Sequence, residues 1–359
     1  MQVNGNRVLT YTDFLKGLDA KGNFVHRVIN LAVKANEMLD DITVIEANNG
    51  TALETTYRTE IPKPVWTQYY SGTPSNKGSK AKLKVTGGRM STKITIDKKM
   101  YDDAEKKSRD AADSLLFDEI DSAQEGMRLE MGNMLIYGLL EDNPLGFNGI
   151  FKHYDRYGSN DDSNSAHYVL NALKAYSGTT AATDDGKTSD LGSIALVGWS
   201  PNTITCFHPE GNTQGGIEIT PKRVVDIIDP DKGGDATYEA YLQYLYWNLG
   251  LGVRDFRYGG RICNIQRDYM LSGADKGASY VELIDRLSQR VHDTGVKQAF
   301  YMDKRMWEFV CTLFSRMTRQ NAITFQHVEA RKEKRLYGIP VRIQDCMKTA
   351  EEVVPAIAA

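Results

Sequence analysis

The amino-acid sequence predicts an α+β fold, in which strand patterns and helix patterns occupy separate stretches of the chain. Three observations carry this prediction. In residues 51–96 apolar and polar side chains alternate, as they do in strands with one solvent-exposed face. Residues 97–140 repeat apolar side chains near the 3.6-residue period of a helix. The remaining residues mix shorter strand and helix patterns.

Residues 51–96, called the basic arm below, predict two strands joined by a turn. In KAKLKV the apolar residues face one way, while Lys80, Lys82 and Lys84 face the other, and STKITI repeats the alternation. YYSGTPSNKGS is rich in turn-forming residues. A two-stranded ribbon of this kind is marginally stable alone. We therefore expect the arm to lie against another surface, and a second copy of the chain is the favoured candidate.

The long helix predicted over residues 97–140 follows the arm directly. Asp97 suits the N-cap position, and Gly138 and Pro144 mark the end. The predicted apolar stripe consists of Tyr101, Ala104, Ala111, Leu115, Ile120, Ala123, Met127, Met131 and Leu135.

The chain before and after these two elements divides into shorter patterns. We expect a helix over residues 24–42, a short strand over 42–45 and a polar insertion or loop over 151–190. ATYEAYLQYLYWNLGLG predicts an aromatic-rich helix, and VRDFRYGGRICNI predicts strands around a Gly-Gly turn. Further strands are predicted over residues 194–197, 203–207 and 299–302, with helices after the SGADKGAS linker and after a capping Asp303.

The composition excludes several classes of protein. Of the 359 residues, 41% are hydrophobic and 25% are charged, and the formal net charge is −3. A dedicated nucleic-acid binder uses an excess of Lys and Arg to neutralise phosphates, so only weak or local DNA contact is expected. No apolar run reaches the roughly 18 residues of a membrane span, and the N-terminus has no secretory signal pattern. The four cysteines show no metal-binding or disulfide spacing.

The charge is unevenly distributed between the arm and the helix. Eight basic and two acidic residues give the arm a net charge of +6. The basic ones are Arg58, Lys63, Lys77, Lys80, Lys82, Lys84, Arg89 and Lys93. Residues 110–130 hold seven acids and one base, a net charge of −6. The acids are Asp110, Asp113, Asp118, Glu119, Asp121, Glu125 and Glu130.

Two interpretations of this asymmetry are open. The charges could belong to two separately solvated faces. Alternatively, the arm of one subunit lies across the helix of the next, where complementary fields set the register. The second interpretation assigns the eight arm bases and the first six helix acids to an inter-subunit contact.

Sites for catalysis or metal binding are poorly supported. The loop from Asp229 resembles a calcium loop, but its twelfth position is Ala240, where such a loop needs glutamate. Cys206 and His208 share one face of a strand without an orienting third group nearby. Phosphate-binding loops, nucleophile elbows and paired histidines are absent. We therefore predict no catalytic residues, metal or cofactor.

The order of elements, from arm through basic loop and long helix to a mixed remainder, resembles the major capsid proteins of tailed bacteriophages with the Hong Kong 97 type of fold. The segments that carry the resemblance are DITVIEANNGTALETTYRTEIP, YGLLEDNPLGFNGIF, LGVRDFRYGGRICNIQ and LYGIPVRIQDCM. Together they are most similar to the capsid subunits of short-tailed phages.

This resemblance implies a domain organisation. Residues 1–49 would form an N-terminal arm, 50–97 the E-loop that reaches over a neighbouring subunit, and 98–150 the spine helix of a P domain. A loop over 151–190 would precede P-domain strands and a helix over 191–270 and an A domain over 271–359. Because Ile339, Pro340 and Val341 lie close to the end of the sequence, the connectivity would be rearranged relative to the commonest arrangement.

The resemblance also implies a function and partners. The chain would assemble as pentamers and hexamers into an icosahedral shell around double-stranded DNA, made in the host cytoplasm. Scaffolding, portal and cement or decoration proteins are the expected partners, with scaffolding supplied as a separate chain. No Asn or Glu motif matches the crosslinking relatives, so we expect a non-covalent lattice. The alternatives are a nanocompartment shell of the same fold and, from another class, a cytoplasmic hydrolase.

Overall fold

The computed structural model describes residues 36–107, 109–173, 190–211, 216–228, 237–266, 274–316, 323–328, 331–348 and 350–357. The chain forms two compact units. The described part of the first unit lies within Arg89–Met131 and Gly216–Asn248. The second unit comprises Ala35–Gly88, Gly132–Gly215 and Leu249–Ala359.

Six helices and fifteen strands lie within the described residues. The helices are α1 (Met38–Asp41), α2 (Lys98–Lys107), α3 (Arg109–Tyr137), α4 (Ile150–His153), α5 (Ala274–Arg290) and α6 (Lys304–Arg316). The strands are β1 (Val44–Glu46), β2 (Ala52–Arg58), β3 (Lys80–Thr86), β4 (Gly88–Asp97), β5 (Val169–Asn171), β6 (Leu191–Trp199), β7 (Ile204–His208), β8 (Glu218–Ile219), β9 (Arg223–Ile228), β10 (Thr237–Val253), β11 (Gly259–Gln266), β12 (Lys297–Met302), β13 (Ile323–Val328), β14 (Arg331–Leu336) and β15 (Ile339–Ile343).

The second unit is organised around β6, which is buried along its whole length. β6 runs antiparallel to β11 on one side and to β12 on the other. Beyond β12, the order continues through β15, β14 and β13. A strand that is buried on both faces has a continuous run of apolar residues. The strand predicted over 194–197 is confirmed, and it extends further in both directions.

The two strands of the basic arm that form a ribbon are β2 and β3. They pair antiparallel from Ala52 opposite Thr86 to Arg58 opposite Lys80. The root of this ribbon is apolar, because Leu53 and Phe207 are buried together with Ala47, and Val85 packs against them. The arm is therefore attached to β7 by its root, while residues 59–79 at its far end are almost all exposed.

The first unit contains the N-terminal part of β10, which pairs antiparallel with β8 and β9. β4 also joins β10 in the sheet. Helix α2 lies beside this sheet, since the rings of Tyr101 and Tyr241 have centroids 4.7 Å apart. The apolar stripe predicted for the long helix agrees with the burial of Tyr101, Ala104 and Met127.

The predicted helix over ATYEAYLQYLYWNLGLG is wrong, since these residues form β10. The apolar positions in this stretch fit both the helix period and the strand period, but tyrosine and tryptophan favour strands. Non-local pairing decided the outcome, with β8 and β9 beside the first part of the strand and β7 beside Gly250–Val253. Gly250 and Gly252 lie inside this strand and do not end a helix.

The predicted Gly-Gly turn is also wrong, because Gly259 and Gly260 are the first two residues of β11. A Cβ atom at Gly260 would lie 2.7 Å from Leu287 Cδ1 of α5. A side chain at this position would have to displace Leu287, so glycine favours the close approach of a helix to the sheet, and a turn is not needed to explain it.

The polar segment 151–190 is a loop only in part. It includes a 3-10 turn (Ser165–Tyr168) followed by β5, which pairs parallel with β11. Residues 174–189 lie outside the described residues, as does most of the predicted helix over 24–42. Within its described part, residues 36–42, only Met38–Asp41 is helical and forms α1.

The predicted boundary at residue 271 between P-domain and A-domain segments stays a prediction. In the second unit, β6 pairs with β11 before this boundary and with β12 after it. The two ranges therefore contribute neighbouring strands to one sheet.

The N-cap at Asp97 is confirmed, and it provides a local test of the helix start. The carboxylate of Asp97 accepts hydrogen bonds from the backbone N–H groups of Lys99 at 2.8 Å and Met100 at 3.3 Å. We expect Asp97→Ala to lower the free energy of unfolding by about 1 kcal/mol. Asp97→Asn, which keeps the acceptor, should cost much less. If chemical denaturation showed the same loss of unfolding free energy for Asp97→Ala and Asp97→Asn, this capping role of the side chain would be contradicted.

Candidate assembly interfaces

The basic side chains of the arm are all exposed. Along β3, Lys80, Lys82 and Lys84 point to solvent, while the residues between them are half-buried. Lys63 and Lys77 lie in the exposed segment beyond the paired strands. The alternation predicted for KAKLKV is therefore confirmed, and one face of the ribbon is a row of cations.

Cross-strand pairing leaves part of this charge uncompensated within the ribbon. Lys84 lies opposite Glu54, with 3.8 Å between Nζ and the carboxylate oxygen. Lys80 lies opposite Arg58, and like charges directly opposite each other destabilise a pair of strands. The outer end of the ribbon would therefore gain from an acidic surface laid against it.

Two further arm bases lie on β4 in the first unit, and one has a role within the chain. The guanidinium of Arg89 lies 4.3 Å from the ring centroid of Tyr246, which is stacked parallel to the ring of Tyr244. This cation–π contact holds Arg89 in place at the surface. Lys93 is exposed on the same strand.

The acids of the long helix do not all have the same environment. Asp118 and Asp121 are exposed, whereas Glu119 and Glu125 are half-buried. The side chain of Asp110 lies outside the described residues. Although Asp118 is exposed, desolvation by neighbouring atoms, followed by repulsion from Asp121, raises its pKa. A basic partner placed against this pair would relieve that repulsion.

Asp113 is engaged within the first unit. It accepts a hydrogen bond from the hydroxyl of Tyr101 at 2.9 Å, and Lys222 Nζ donates to the same hydroxyl at 2.8 Å. The bond to Tyr101 is the main cause that raises the pKa of Lys222. The structure therefore gives Asp113 a position-fixing role in addition to the predicted contact role, which stays a prediction.

The arm also carries exposed apolar side chains, which its charge pattern does not predict. Trp66, Tyr69 and Tyr70 are 101%, 97% and 109% exposed, and Ile61 and Val65 nearby are also exposed. The signal is present in IPKPVWTQYY, where Ile61, Val65 and Trp66 lie beside two prolines before the predicted turn, and two tyrosines begin that turn.

The residues considered for catalysis do not form a site. Cys206 is fully buried in β7, and burial raises the pKa of its thiol, which disfavours the nucleophilic thiolate. Most of the calcium-like loop lies outside the described residues. Within the part of the chain that the structure describes, no three His, Cys, Asp or Glu side chains are grouped around a potential metal position. None of the described helices could span a membrane.

Comparisons with known proteins identify one family and one shared fold. The family model of major capsid protein GP7 matches residues 19–355. A chain in the cryo-EM structure of bacteriophage Epsilon15 is similar with a TM-score of 0.72 and 22% identity, and 99% of each chain is covered. That likeness shows a shared fold. No curated protein matches the sequence significantly.

Two more distant structures are also similar in part. The bacteriophage JBD30 capsid matches with a TM-score of 0.47 and 10% identity over 88% of this chain and 92% of that one. The capsid of a native GTA particle matches with a TM-score of 0.43 and 9% identity over 68% of this chain and 95% of that one.

Proposed function

Because this chain belongs to the family of major capsid protein GP7, we propose that its copies tile an icosahedral phage head by laying the basic arm of each subunit across the acidic long helix of the next. The role of the chain is structural, in the shell of the virion capsid, and the shell is built from copies of this chain. The fold is α+β of the Hong Kong 97 type, as the resemblance implied.

One observation supports the arm–helix contact above the others. Two exposed surfaces carry opposite charge: the lysine row on β3, and the helix face with Asp118 and Asp121. Complementary charge of this kind sets the register of an interface and speeds encounter more than it adds affinity. Such a contact is screened by salt, so assembly should slow as ionic strength rises.

The proposal predicts that paired charge reversals compensate for each other. Lys80→Glu/Lys82→Glu on the arm, or Asp118→Lys/Asp121→Lys on the helix, should each place like charges together. We expect each to raise the subunit concentration needed for shell formation by at least about tenfold, because like-charge contacts cost several kcal/mol. Combining both variants in one chain should restore most of the assembly. Light scattering and negative-stain microscopy would measure it.

A charge change outside both surfaces provides the control. Lys297 is an exposed base on β12, and Lys297→Glu should assemble as the parent chain does. Normal assembly of either single reversal, or failure of the combined variant to recover, would leave the two charged faces as separately solvated surfaces.

The finer parts of the function belong to the same proposal. The shell would consist of pentamers and hexamers, enclose double-stranded DNA through weak contacts, and be made in the host cytoplasm with scaffolding, portal and cement proteins. Residues 50–97 would be the E-loop and 98–150 the spine helix of a P domain, with the A domain over 271–359. The subunit would be of the short-tailed phage type.

Two simple observations would test these finer parts. DNA inside purified shells would support a phage head, whereas a packaged enzyme would favour the nanocompartment alternative. The lattice is proposed to be non-covalent, so heating in detergent should release single chains. A ladder of covalent multimers on a denaturing gel would contradict this.

A further inference from the structure

The far end of the basic arm is an aromatic surface that none of the described residues of its own chain covers. We call residues 61–70 the arm tip. Three of its side chains, Trp66, Tyr69 and Tyr70, are fully exposed, and Ile61 is 78% exposed. Beside them Lys63 lies between Pro62 and Pro64, and proline stiffens the backbone and limits the entropy lost when such a segment docks.

An aromatic surface of this size is typical of an interface. Each aromatic side chain can bury about 150–250 Å², so the three together can bury more than half of the roughly 800 Å² that one partner contributes to a stable contact. Trp and Tyr are also the residues most often found at the energetic centre of interfaces. Since copies of this chain form a shell, a second copy is the partner that is always present.

The same chain carries a second unusual surface, on the strands of the first unit. Ile219, Val224 and Ile228 are 39%, 46% and 58% exposed. Their partners on β10 are Leu245, Tyr241 and Thr237. These partners are four residues apart along the strand, so all three apolar side chains lie on one face of the sheet. We call Ile219, Val224 and Ile228 the apolar strip.

The charge next to these two surfaces is complementary. Asp226 is exposed on β9 between Val224 and Ile228, and its partner on β10 is Glu239. The carboxylate of Glu239 accepts a hydrogen bond from Lys98 at 2.6 Å, whereas the arm tip supplies Lys63 without an acidic residue among its ten positions. An apolar strip with an acid at its centre fits an aromatic tip with a cation.

We propose that the arm tip of one copy docks on the apolar strip of a second copy. This inference rests on the proposed shell function, and it assigns the binding affinity of the arm to the aromatic side chains, with the lysines setting register. Scaffolding or decoration proteins and lipid surfaces are the other possible occupants of the tip, and the experiments below separate them from a second copy.

A disulfide between copies tests the contact directly. Chains carrying Tyr69→Cys and chains carrying Val224→Cys, with different tags, would be co-assembled and mildly oxidised. We expect a covalent heterodimer between the two tags. Arg223→Cys is the matched control, because Arg223 is also exposed and the adjacent position on a strand points to the opposite face. The four native cysteines form no disulfide with one another, so the parent chain sets the background.

A substitution at the tip tests the energetic role. Trp66→Ser should raise the subunit concentration needed for assembly by at least about tenfold, as expected for a residue at the centre of an interface. It should leave thermal unfolding of the unassembled subunit unchanged, because the side chain makes no buried contact. Gln68→Ser, an exposed polar neighbour in the same segment, should have no effect on assembly.

The outcomes separate this inference from the proposed function. Shells that form normally with Trp66→Ser, or a heterodimer that forms equally with Arg223→Cys, would overturn tip docking and leave the capsid function intact. If shells form but the Tyr69→Cys and Val224→Cys chains do not crosslink, the arm tip binds another occupant. This result would also overturn tip docking. A parent chain that forms no shell under any condition would overturn both.

Discussion

Replacing Glu351 with alanine is expected to lower the free energy of unfolding by about 3–5 kcal/mol, because it leaves a buried guanidinium without its counter-ion. Arg261 donates to a Glu351 carboxylate oxygen at 2.8 Å, and the two side chains are 7% and 5% exposed. The other carboxylate oxygen accepts a hydrogen bond from the hydroxyl of Tyr137 at 2.6 Å. Ser193 donates to the network as well.

This network attaches the C-terminal segment to the sheet of the second unit. Arg261 belongs to β11 and lies over the ring of Phe151 at 3.8 Å. Asn264, three residues along, donates to the carbonyl oxygen of Val354 and accepts from its N–H. Loss of Glu351 should therefore also increase hydrogen exchange around Val354.

Chemical denaturation of the unassembled subunit would measure the effect of Glu351→Ala. Glu352→Ala removes the same type of side chain at the next position, which is exposed, and should change the free energy by no more than about 0.5 kcal/mol. A double variant, Arg261→Met/Glu351→Leu, should recover most of the stability, since a buried ion pair can be replaced by apolar residues at little cost. A loss below about 1 kcal/mol for Glu351→Ala would contradict this account.

Phe207→Ala is the second change with a large expected effect, at the root of the basic arm. Phe207 is 1% exposed and is buried with Ala47 and Leu53, against Val85 of β3. Truncating a fully buried phenylalanine costs about 3–5 kcal/mol, from lost transfer free energy and the cavity that remains. Since a two-stranded ribbon is marginal without support, we expect the arm to lose its fixed position as well.

Hydrogen exchange of β2 and β3 would separate these two effects. Phe207→Ala should lower both the global stability and the protection of the ribbon amides. Tyr57→Ala is the matched control, because Tyr57 lies in β2 toward the exposed end and is itself 45% exposed. It should leave global stability within about 0.5 kcal/mol. Unchanged ribbon protection in Phe207→Ala would show that the arm is held by other contacts.

Local patterns in the sequence were sufficient for several elements of this protein. The alternation in KAKLKV predicts β3 and its exposed lysine row, and the buried strands β6 and β7 were located from short apolar runs. The cap at Asp97 was also predicted, since it depends on residues within one turn. The order of elements was enough to predict the capsid family that the family model then showed.

Contacts between distant residues decided the rest. The tyrosines of β10 are compatible with a helix or a strand, and pairing with β7, β8 and β9 selected the strand. Gly260 allows Leu287 to approach the sheet closely, and Arg261 is neutralised by Glu351, 90 residues away. The exposure of Trp66 follows only from which surfaces the folded chain leaves uncovered. The spacing of apolar residues and the capping of a helix depend on neighbouring residues. Burial and the choice of strand partners depend on the whole packed chain.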